Sequence, residues 1–187
     1  MNTIRSLAVR APLVAMTLAL LGVGCGKNRV VLEVDVLSFM DPASTTTNYD
    51  APPLVTTTDR SEPITVQLLE GYDDLGHAVA ARLDVQSRYD NQTGTGRGRV
   101  RVYMGPDATT VYDTVPVAVL EADLAPAQTT YGDVVIEADQ RVLDLFTGRS
   151  FYVGVESEWV PSGTQALQGT STLTRIHAHV ESTMDLF

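Results

Sequence analysis

Apolar and polar residues alternate with period two along most of the chain after residue 30. Val30, Leu32 and Val34 fall on one side of the first such segment, and Glu33 and Asp35 fall on the other. Successive side chains of a β-strand point to opposite faces, so this pattern predicts strands that are buried on one side. The segments with this pattern are 30–40, 64–68, 79–89, 100–104, 110–121, 132–138, 150–160 and 171–182.

Turn-forming residues separate two of these segments. Residues 90–96 read Asp-Asn-Gln-Thr-Gly-Thr-Gly, which predicts a turn and makes 79–104 the clearest hairpin in the sequence. The polar face of this hairpin carries five arginines that form a basic patch partly offset by Asp84. An anionic partner would suit this patch, although such a stripe more often keeps an exposed sheet face soluble. The five are Arg82, Arg88, Arg97, Arg99 and Arg101.

One short helix is predicted near 139–147. Asp139 is a suitable N-cap, Val142, Leu143 and Phe146 form an apolar stripe, and Gly148 suits the end of the helix. About eight strands with almost no other helix predict an all-β fold, an antiparallel β-sandwich of the immunoglobulin-like or jelly-roll type. A parallel α/β fold is excluded because crossover helices are missing.

The segment 41–62 is rich in Thr, Pro and Asp. It is expected to be a long loop or an irregular edge strand that connects the first strand to the rest, and most simply an ordered crossover between two sheets. Residues 30–187, with this segment included, are expected to form one sandwich domain.

The first 24 residues have the three parts of a secretory signal peptide. Arg5 and Arg10 are the positive region, residues 13–23 are apolar, and the small residues Gly22 and Gly24 precede Cys25. The apolar run is shorter than the roughly 20 residues that a membrane-spanning helix needs. The sequence therefore predicts a leader at 1–24 that is removed on export.

The stretch Leu21-Gly22-Val23-Gly24-Cys25 resembles the lipobox of bacterial lipoproteins. Gly22 stands where that family prefers Leu, Val or Ile, and Leu21 is displaced one position earlier. The resemblance implies that Cys25 receives a diacylglyceryl group, that cleavage precedes it, and that residues 25–29 form a lipidated tether. Gly26 after the cysteine implies the outer membrane where the cell has one. An ordinary secretory signal that leaves Cys25 as a free thiol is the alternative.

Charge limits the partners of the mature chain. The formal net charge is -10, and removing Arg5 and Arg10 leaves 11 basic against 23 acidic residues, or -12. Such a chain repels phosphate backbones and anionic lipid, so no nucleic-acid binding is expected and membrane contact must come from the acyl chains. Cys25 is the single cysteine, so no intrachain disulfide forms.

Three groups of residues are candidates for chemistry. His177 and His179 are two apart on one strand face, as a metal pair would be, but the alternation places them outward and no sequence feature names a third ligand. Glu156 and Glu158 form a similar outward pair, which a hydrolase would need to face across a cleft. Calcium would bind acidic loop residues, which are also common turn formers. These are Asp41, Asp50, Asp59, Asp73, Asp74, Asp90 and Asn91.

Aromatic platforms for a carbohydrate are few. Trp159 alternates inward with Val153 and is expected in the core, whereas Tyr103, Tyr131 and Tyr152 face outward on the same reasoning. The sequence predicts no catalytic residue, no metal site and no cofactor. It favours a lipid-anchored, non-enzymatic envelope protein that binds another protein or supports an assembly. A glycan- or calcium-binding module is the first alternative, and a hydrolase with an unrecognised site is the second.

Overall fold

The computed structural model describes residues 28–41, 45–68 and 77–184. These residues form an all-β sandwich of two antiparallel sheets with one short α-helix, as predicted. The strands are β1 (Asn28–Asp35), β2 (Thr46–Ala51), β3 (Thr57–Arg60), β4 (Ile64–Gln67), β5 (His77–Thr93), β6 (Gly96–Gly105), β7 (Ala118–Leu124), β8 (Gln128–Glu137), β9 (Ser150–Pro161) and β10 (Leu167–Met184). The predicted leader and the first part of the tether lie outside the described residues.

Both sheets follow the same plan. The first sheet has the order β1-β10-β5-β8, and β2 also pairs with β10; the second has the order β3-β9-β6-β7, and β4 also pairs with β9. In each sheet a long strand, β10 or β9, is therefore flanked on one side by two short strands that lie end to end. A 3-10 helix at Val36–Phe39, which begins at the capping residue Asp35, separates β1 from β2.

The predicted hairpin at 79–104 is wrong. β5 pairs with β10 and β8, whereas β6 pairs with β7 and β9, so the two strands belong to different sheets. Only Gly94 and Thr95 separate them. Gly94 has a φ of 72° and a Cβ at this position would lie 2.4 Å from the carbonyl oxygen of Ala166. A turn is present within the predicted 90–96, but it is confined to Gly94 and Thr95, and the chain uses it to cross from one sheet to the other.

The segment 41–62 also differs from a long loop. It contains β2 in the first sheet and β3 in the second, with residues 52–56 as the crossover between them. The edge-strand and crossover interpretation is therefore the correct one. Threonines favour extended backbone, and they supply half of β3, Thr57–Arg60.

The core lies between the sheets and joins them through aromatic rings. Tyr49 of β2, Tyr89 of β5 and Trp159 of β9 are all buried. The Tyr49 and Trp159 rings stack with centroids 4.0 Å apart, and the Tyr89 ring meets Trp159 edge-on at 6.1 Å. The predicted core position of Trp159 is confirmed.

The helix α1 (Gln140–Leu145) closes one end of the sandwich, close to its predicted position. The carboxylate of Asp139 accepts a hydrogen bond from the backbone N–H of Val142 at 3.0 Å, which caps the first turn. Val142, Leu143, Leu145 and the C-cap Phe146 are buried. None of the helices in the described ranges is long and apolar enough to cross a membrane.

The registers define two ends of the sandwich. Asn28 of β1 pairs with Met184 of β10, and His77 of β5 pairs with Thr183, so these residues mark the tether end. Ala51 of β2 pairs with Leu167 at the opposite, distal end of β10. The 18 residues from Leu167 to Met184 correspond to about 55 Å of strand at about 3.3 Å per step.

Candidate functional site

The structure adds a third group to the predicted histidine pair. His177 and His179 lie on the outer face of β10, as expected, and Glu33 of β1 faces them. Nδ1 of His179 lies 2.6 Å from Oε1 of Glu33, and Nε2 of His177 lies 3.3 Å from Oε2 of the same carboxylate. The 3.3 Å contact lacks hydrogen-bond geometry, so Oε2 of Glu33 is buried without a hydrogen bond.

Other charged residues surround this cluster. His177 pairs in register with Asp35 of β1 and Asp84 of β5, and a guanidinium nitrogen of Arg175 lies 2.9 Å from Oδ2 of Asp84. In the part of the chain that the structure describes, no three His, Cys, Asp or Glu side chains are arranged to hold a metal ion. The Glu33 carboxylate of β1 therefore contacts two imidazoles of β10, those of His177 and His179, and links the two strands.

The outer face of the second sheet carries a run of alternating acids and arginines, which we name the charged ladder. Neighbouring side chains on adjacent strands are paired at 2.6–3.4 Å. Four arginines match four acids, so the ladder is neutral as a whole. Its members are Arg60, Arg97, Arg99, Arg101, Glu121, Asp123, Glu156 and Glu158.

Glu156 is the most enclosed member of the charged ladder, with 6% of its surface exposed. It accepts hydrogen bonds from Nε of Arg60 and Nη1 of Arg101, each at 2.7 Å, and from the hydroxyl of Tyr103 at 3.4 Å. Burial acts to raise the pKa of the Glu156 carboxyl, but the hydrogen bonds and charges of Arg60 and Arg101 outweigh it and hold the pKa below its ordinary value.

This geometry does not suit the two-carboxylate hydrolase. The predicted outward pair is present, but Arg101 binds both carboxylates, with Nη2 donating to Glu158 at 2.7 Å. A general acid in such an enzyme needs a raised pKa, whereas that of Glu156 is lowered. Arg101 therefore ties both glutamates into ion pairs on a sheet face.

Two tyrosines cover one end of the charged ladder. Tyr112 lies on a 3-10 helix (Val111–Asp113) and packs over Tyr103 with ring centroids 5.3 Å apart. Its hydroxyl donates to the carbonyl of Ser61 at 2.6 Å, in the break between β3 and β4, and the guanidinium of Arg60 lies 5.0 Å from its ring centroid. Tyr112 thus holds the interrupted edge of the second sheet in place.

The five arginines do not form one basic patch. Arg82 and Arg88 lie on β5 in the first sheet, and the other three belong to the charged ladder of the second. Each of Arg97, Arg99 and Arg101 is paired with an acid. The prediction of a basic patch is wrong because it depended on β5 and β6 forming one hairpin.

The described carboxylates among the calcium candidates, Asp41, Asp50, Asp59 and Asp90, are each engaged in separate contacts within the protein. Asp50 accepts from Gln168 at 3.0 Å, Asp59 accepts from the N–H of Arg60 at 3.0 Å, and Asp90 accepts from Arg88 and from Thr129 at 2.6 Å. The hydrogen bond from Thr129 lowers the pKa of Asp90; burial acts the other way, but the hydrogen bond and charge of Arg88 add to the lowering. Asp73 and Asp74 lie outside the described residues.

Asn91 was predicted to lie in a turn but is buried within β5. Its amide nitrogen donates to the carbonyl of Gly94 at 2.9 Å, and its carbonyl oxygen accepts from the Tyr49 hydroxyl at 3.1 Å. Burial, with a smaller effect of the Asp90 charge, raises the pKa of the Tyr49 phenol. Asn91 therefore provides hydrogen-bond partners for the Tyr49 hydroxyl and the Gly94 carbonyl, next to the crossover between the sheets.

The outward tyrosines differ in exposure. Tyr131 on β8 is 58% exposed, Tyr152 is partly exposed, and Tyr103 is only 6% exposed because Tyr112 covers it. A flat row of stacked exposed rings, which a glycan platform needs, does not form from these three in the described structure.

Sequence reasoning missed Glu33 and Arg60 as members of these clusters, and it predicted the crossover within 41–62 without locating it at 52–56. The pairing of Glu33 and Arg60 with distant strands has no local signal. The crossover does have one, because Pro52 and Pro53 precede two exposed apolar residues, Leu54 and Val55.

Cys25 lies outside the described residues, so the structure places no contact on it. β1 begins three positions after it, at Asn28.

Comparisons with known proteins give no family for this chain. No family model matches the sequence, and no curated protein matches it. Among solved structures, chains of infectious bursal disease virus Gx and Gt strains match with TM-scores of 0.44 and 0.44 at 10% and 14% identity. They cover 86% and 98% of this chain, which spans only 34% and 42% of theirs. A carbohydrate-binding module specific for non-crystalline cellulose matches with a TM-score of 0.37 at 8% identity, covering 91% of this chain and 80% of its own. At these TM-scores the likenesses carry no information about what this chain does.

Proposed function

We propose that this chain is an exported, lipid-anchored protein of the cell envelope whose β-sandwich binds another protein and catalyses no reaction. The observation that carries the proposal is the lipobox-like stretch from Leu21 to Cys25, which stands immediately before the first strand of the sandwich.

The acyl chains on Cys25 supply the attachment. Each buried methylene contributes about 0.8 kcal/mol, so two or three chains hold a soluble domain on a bilayer durably. The mature chain has a formal charge of -12, from 11 basic and 23 acidic residues. It would be repelled by anionic lipid, so no electrostatic contact replaces the acyl chains.

The short tether limits how far the sandwich can lie from the bilayer. Gly26 and Lys27 alone separate Cys25 from β1, and three extended steps span about 10 Å. An anchored Cys25 would therefore keep the tether end of the sandwich within about 10 Å of the bilayer surface.

Absence of catalysis is supported by the state of the candidate residues. Glu156 and Glu158 are bound by Arg101, and Trp159 is buried in the core and not available to a sugar. The described acidic residues proposed for calcium are engaged with separate protein groups. We therefore propose a protein-binding role, in which none of these residues acts as a reacting group.

The anchor is tested with Cys25→Ser in the producing cell. We expect the wild-type chain in the membrane fraction, with the mass of two or three acyl chains on its N-terminal peptide, and the variant in the soluble fraction. Lys27→Gln, two positions away, is the matched control and should stay on the membrane. An unmodified Cys25 thiol in the wild-type chain would contradict the anchor.

The binding role is tested separately. The tagged full chain is purified from detergent-solubilised envelopes after cross-linking, and bound proteins are quantified against a strain that lacks the tag. Reproducible enrichment of one or a few envelope proteins supports the role. Failure to enrich any, from a chain shown to be anchored, overturns this part of the proposal alone.

A further inference from the structure

The inner faces of the two sheets carry paired polar residues at one level of the sandwich. Ser171 of β10 pairs in register with Thr47 of β2, and Ser157 of β9 pairs with Asp59 of β3. The two serines alternate along their strands with buried core residues, and residues that pair in register share a face. All four side chains are therefore directed toward the space between the sheets.

The two serines are buried without hydrogen-bond partners. Ser157 and Ser171 are each 5% exposed, and within the described residues neither hydroxyl takes part in a hydrogen bond. A buried hydroxyl without a partner costs free energy that an alanine at the same position would not cost. Both hydroxyls can therefore bind a polar group that enters from outside the fold.

These four polar residues line a pocket of about 60 Å³ between the sheets. One water molecule occupies about 30 Å³, so the pocket has room for about two waters or for one small polar group. Much of the remaining lining is apolar and comes from Met40, Val100, Val155 and Leu173, with Thr45, Arg60 and Ser61 as further polar members. A hydroxyl group on a short apolar stem matches this lining.

The pocket adjoins a larger depression at the surface. Thr47 and Ser61 line both, and the depression has a volume of about 550 Å³. It lies where the edges of both sheets are interrupted, because residues 36–45 separate β1 from β2 and residues 61–63 separate β3 from β4. A ligand can therefore lie in the depression and extend one group into the pocket. The other members of the depression are Asp41, Thr46, Glu62, Pro63 and Ile64.

This lining favours a neutral ligand that is rich in hydroxyl groups. Serine and threonine hydroxyls both donate and accept hydrogen bonds, as sugar hydroxyls do, and a carboxylate such as that of Glu62 accepts several. Pro63 and Ile64 add apolar surface for the C–H groups of a sugar ring. A pocket that combines apolar surface with a few placed polar groups is the usual form of a small-molecule site.

Charged ligands fit less well. Asp41, Asp59 and Glu62 would repel an anion, and the guanidinium of Arg60 is already bound by Glu156 at 2.7 Å. A metal ion is not favoured either, since in the described ranges no three His, Cys, Asp or Glu side chains are arranged to hold one. A sugar is the class of ligand that uses the hydroxyls, the carboxylates and the apolar surface together.

We propose that the pocket and the depression form a binding site for a hexopyranose, whose ring lies in the depression and whose hydroxymethyl group enters the pocket. There the hydroxymethyl group makes with Ser157 and Ser171 the hydrogen bonds that these hydroxyls do not make within the chain. This function is additional to the proposed protein-binding role, and it does not rest on the anchor at Cys25.

The experiment titrates the full chain, purified in a sugar-free detergent, with D-glucose, D-galactose and D-mannose by isothermal titration calorimetry. The matched controls are D-xylose, L-arabinose and D-lyxose, which have the same rings in the same order but lack the hydroxymethyl group. We expect one hexose to bind at least about tenfold more tightly than its pentose counterpart, because the pentose leaves the buried hydroxyls unpaired. Absence of binding by all the hexoses, or a pentose that binds as tightly as its hexose, overturns the proposal.

The methyl glycoside of the hexose that binds identifies the source of the sugar. Retained affinity indicates the end of a glycan chain, whereas lost affinity indicates a free sugar, and both results support the site.

Variants of the two serines test the pocket itself. Ser157→Ala and Ser171→Ala remove no hydrogen bond within the described chain, so we expect unfolding without sugar to change little and hexose affinity to fall at least about tenfold. Ser87→Ala is the matched control, since Ser87 is equally buried but does not line the pocket, and its affinity should stay at the wild-type value. Hexose affinity that survives both serine substitutions overturns the proposal. Serine variants that lose stability in a chain that binds no hexose would show that water alone occupies the pocket, and would overturn it as well.

Discussion

The ring of Trp159 in the second sheet stacks on that of Tyr49 in the first, with centroids 4.0 Å apart and planes 20° apart. Tyr49 is on a short edge strand, β2, and Trp159 is on the long strand β9. Stacked and edge-to-face aromatic pairs stabilise a core beyond the area that they bury. This stack joins the segment 46–51 to the opposite sheet, which explains how a Thr-rich edge strand is held in an ordered position.

Trp159→Ala should lower the free energy of unfolding by about 3–5 kcal/mol, because it leaves a cavity between the sheets and removes both ring contacts. Denaturant unfolding followed by far-UV circular dichroism measures the change without depending on tryptophan fluorescence. Val160→Ala is the matched control, since the neighbouring side chain is 36% exposed. An effect at Trp159 as small as that at Val160 would contradict the stacked core.

Gly98→Ala should lower the free energy of unfolding by about 1–3 kcal/mol through overpacking. A Cβ at position 98 would lie 2.7 Å from Cζ3 of Trp159, and that ring is held by Tyr49 and Tyr89 and has no room to move. Gly148→Ala serves as the control because its nearest atoms lie 3.6 Å away. The same unfolding measurement would refute the prediction if the two alanine variants were equally stable.

Asn91→Ala should cost about 1–3 kcal/mol, because it leaves the Tyr49 hydroxyl without its acceptor in a buried site. A double-mutant cycle with Tyr49→Phe separates this hydrogen bond from the packing of the two side chains. We expect the double variant to be more stable than the sum of the two single losses predicts. Strictly additive losses would show that the hydrogen bond contributes nothing.

Much of the fold follows from period-two alternation, and the reason is local. The residues of each strand show by themselves which of its faces is buried, as in β1, where Val30, Leu32 and Val34 are buried. The helix cap is equally local, because Asp139 needs only the N–H of Val142 three residues on. Such features can be predicted because the interacting groups are close in sequence.

The partners of a strand, in contrast, cannot be predicted from its own residues. The alternation shows which side of β5 and of β6 is buried, but it does not show which sheet each strand joins. A link of two residues is compatible both with a hairpin within one sheet and with a crossover between two sheets. The contacts of Glu33 with His177 and of Arg60 with Glu156 span 144 and 96 positions. These contacts depend on the register of non-adjacent strands, and single-sequence patterns do not encode it.

The last prediction concerns acid stability and Glu156. Because the folded pKa of this carboxyl is lower than its ordinary value of 4.5, the unfolded chain binds the proton more tightly than the folded one. The stabilisation from Glu156 is therefore present above about pH 4.5 and is lost as the pH falls through the folded pKa. Glu156→Gln removes it, so we expect a loss of about 1–2 kcal/mol at pH 7 from the weakened bonds to Arg60 and Arg101.

The difference between wild type and Glu156→Gln should then shrink as the pH falls below about 4. Chemical unfolding at a series of pH values from 7 to 3 measures it directly, and Glu62→Gln, at an exposed position, is the matched control. Curves for wild type and Glu156→Gln that stay parallel across this range would show that Arg60 and Arg101 do not hold the carboxylate in its charged form. If the curves converge, protonation of Glu156 weakens the contacts that link β9 to β3 and to β6, since Arg60 and Arg101 lie on the strands to either side of it.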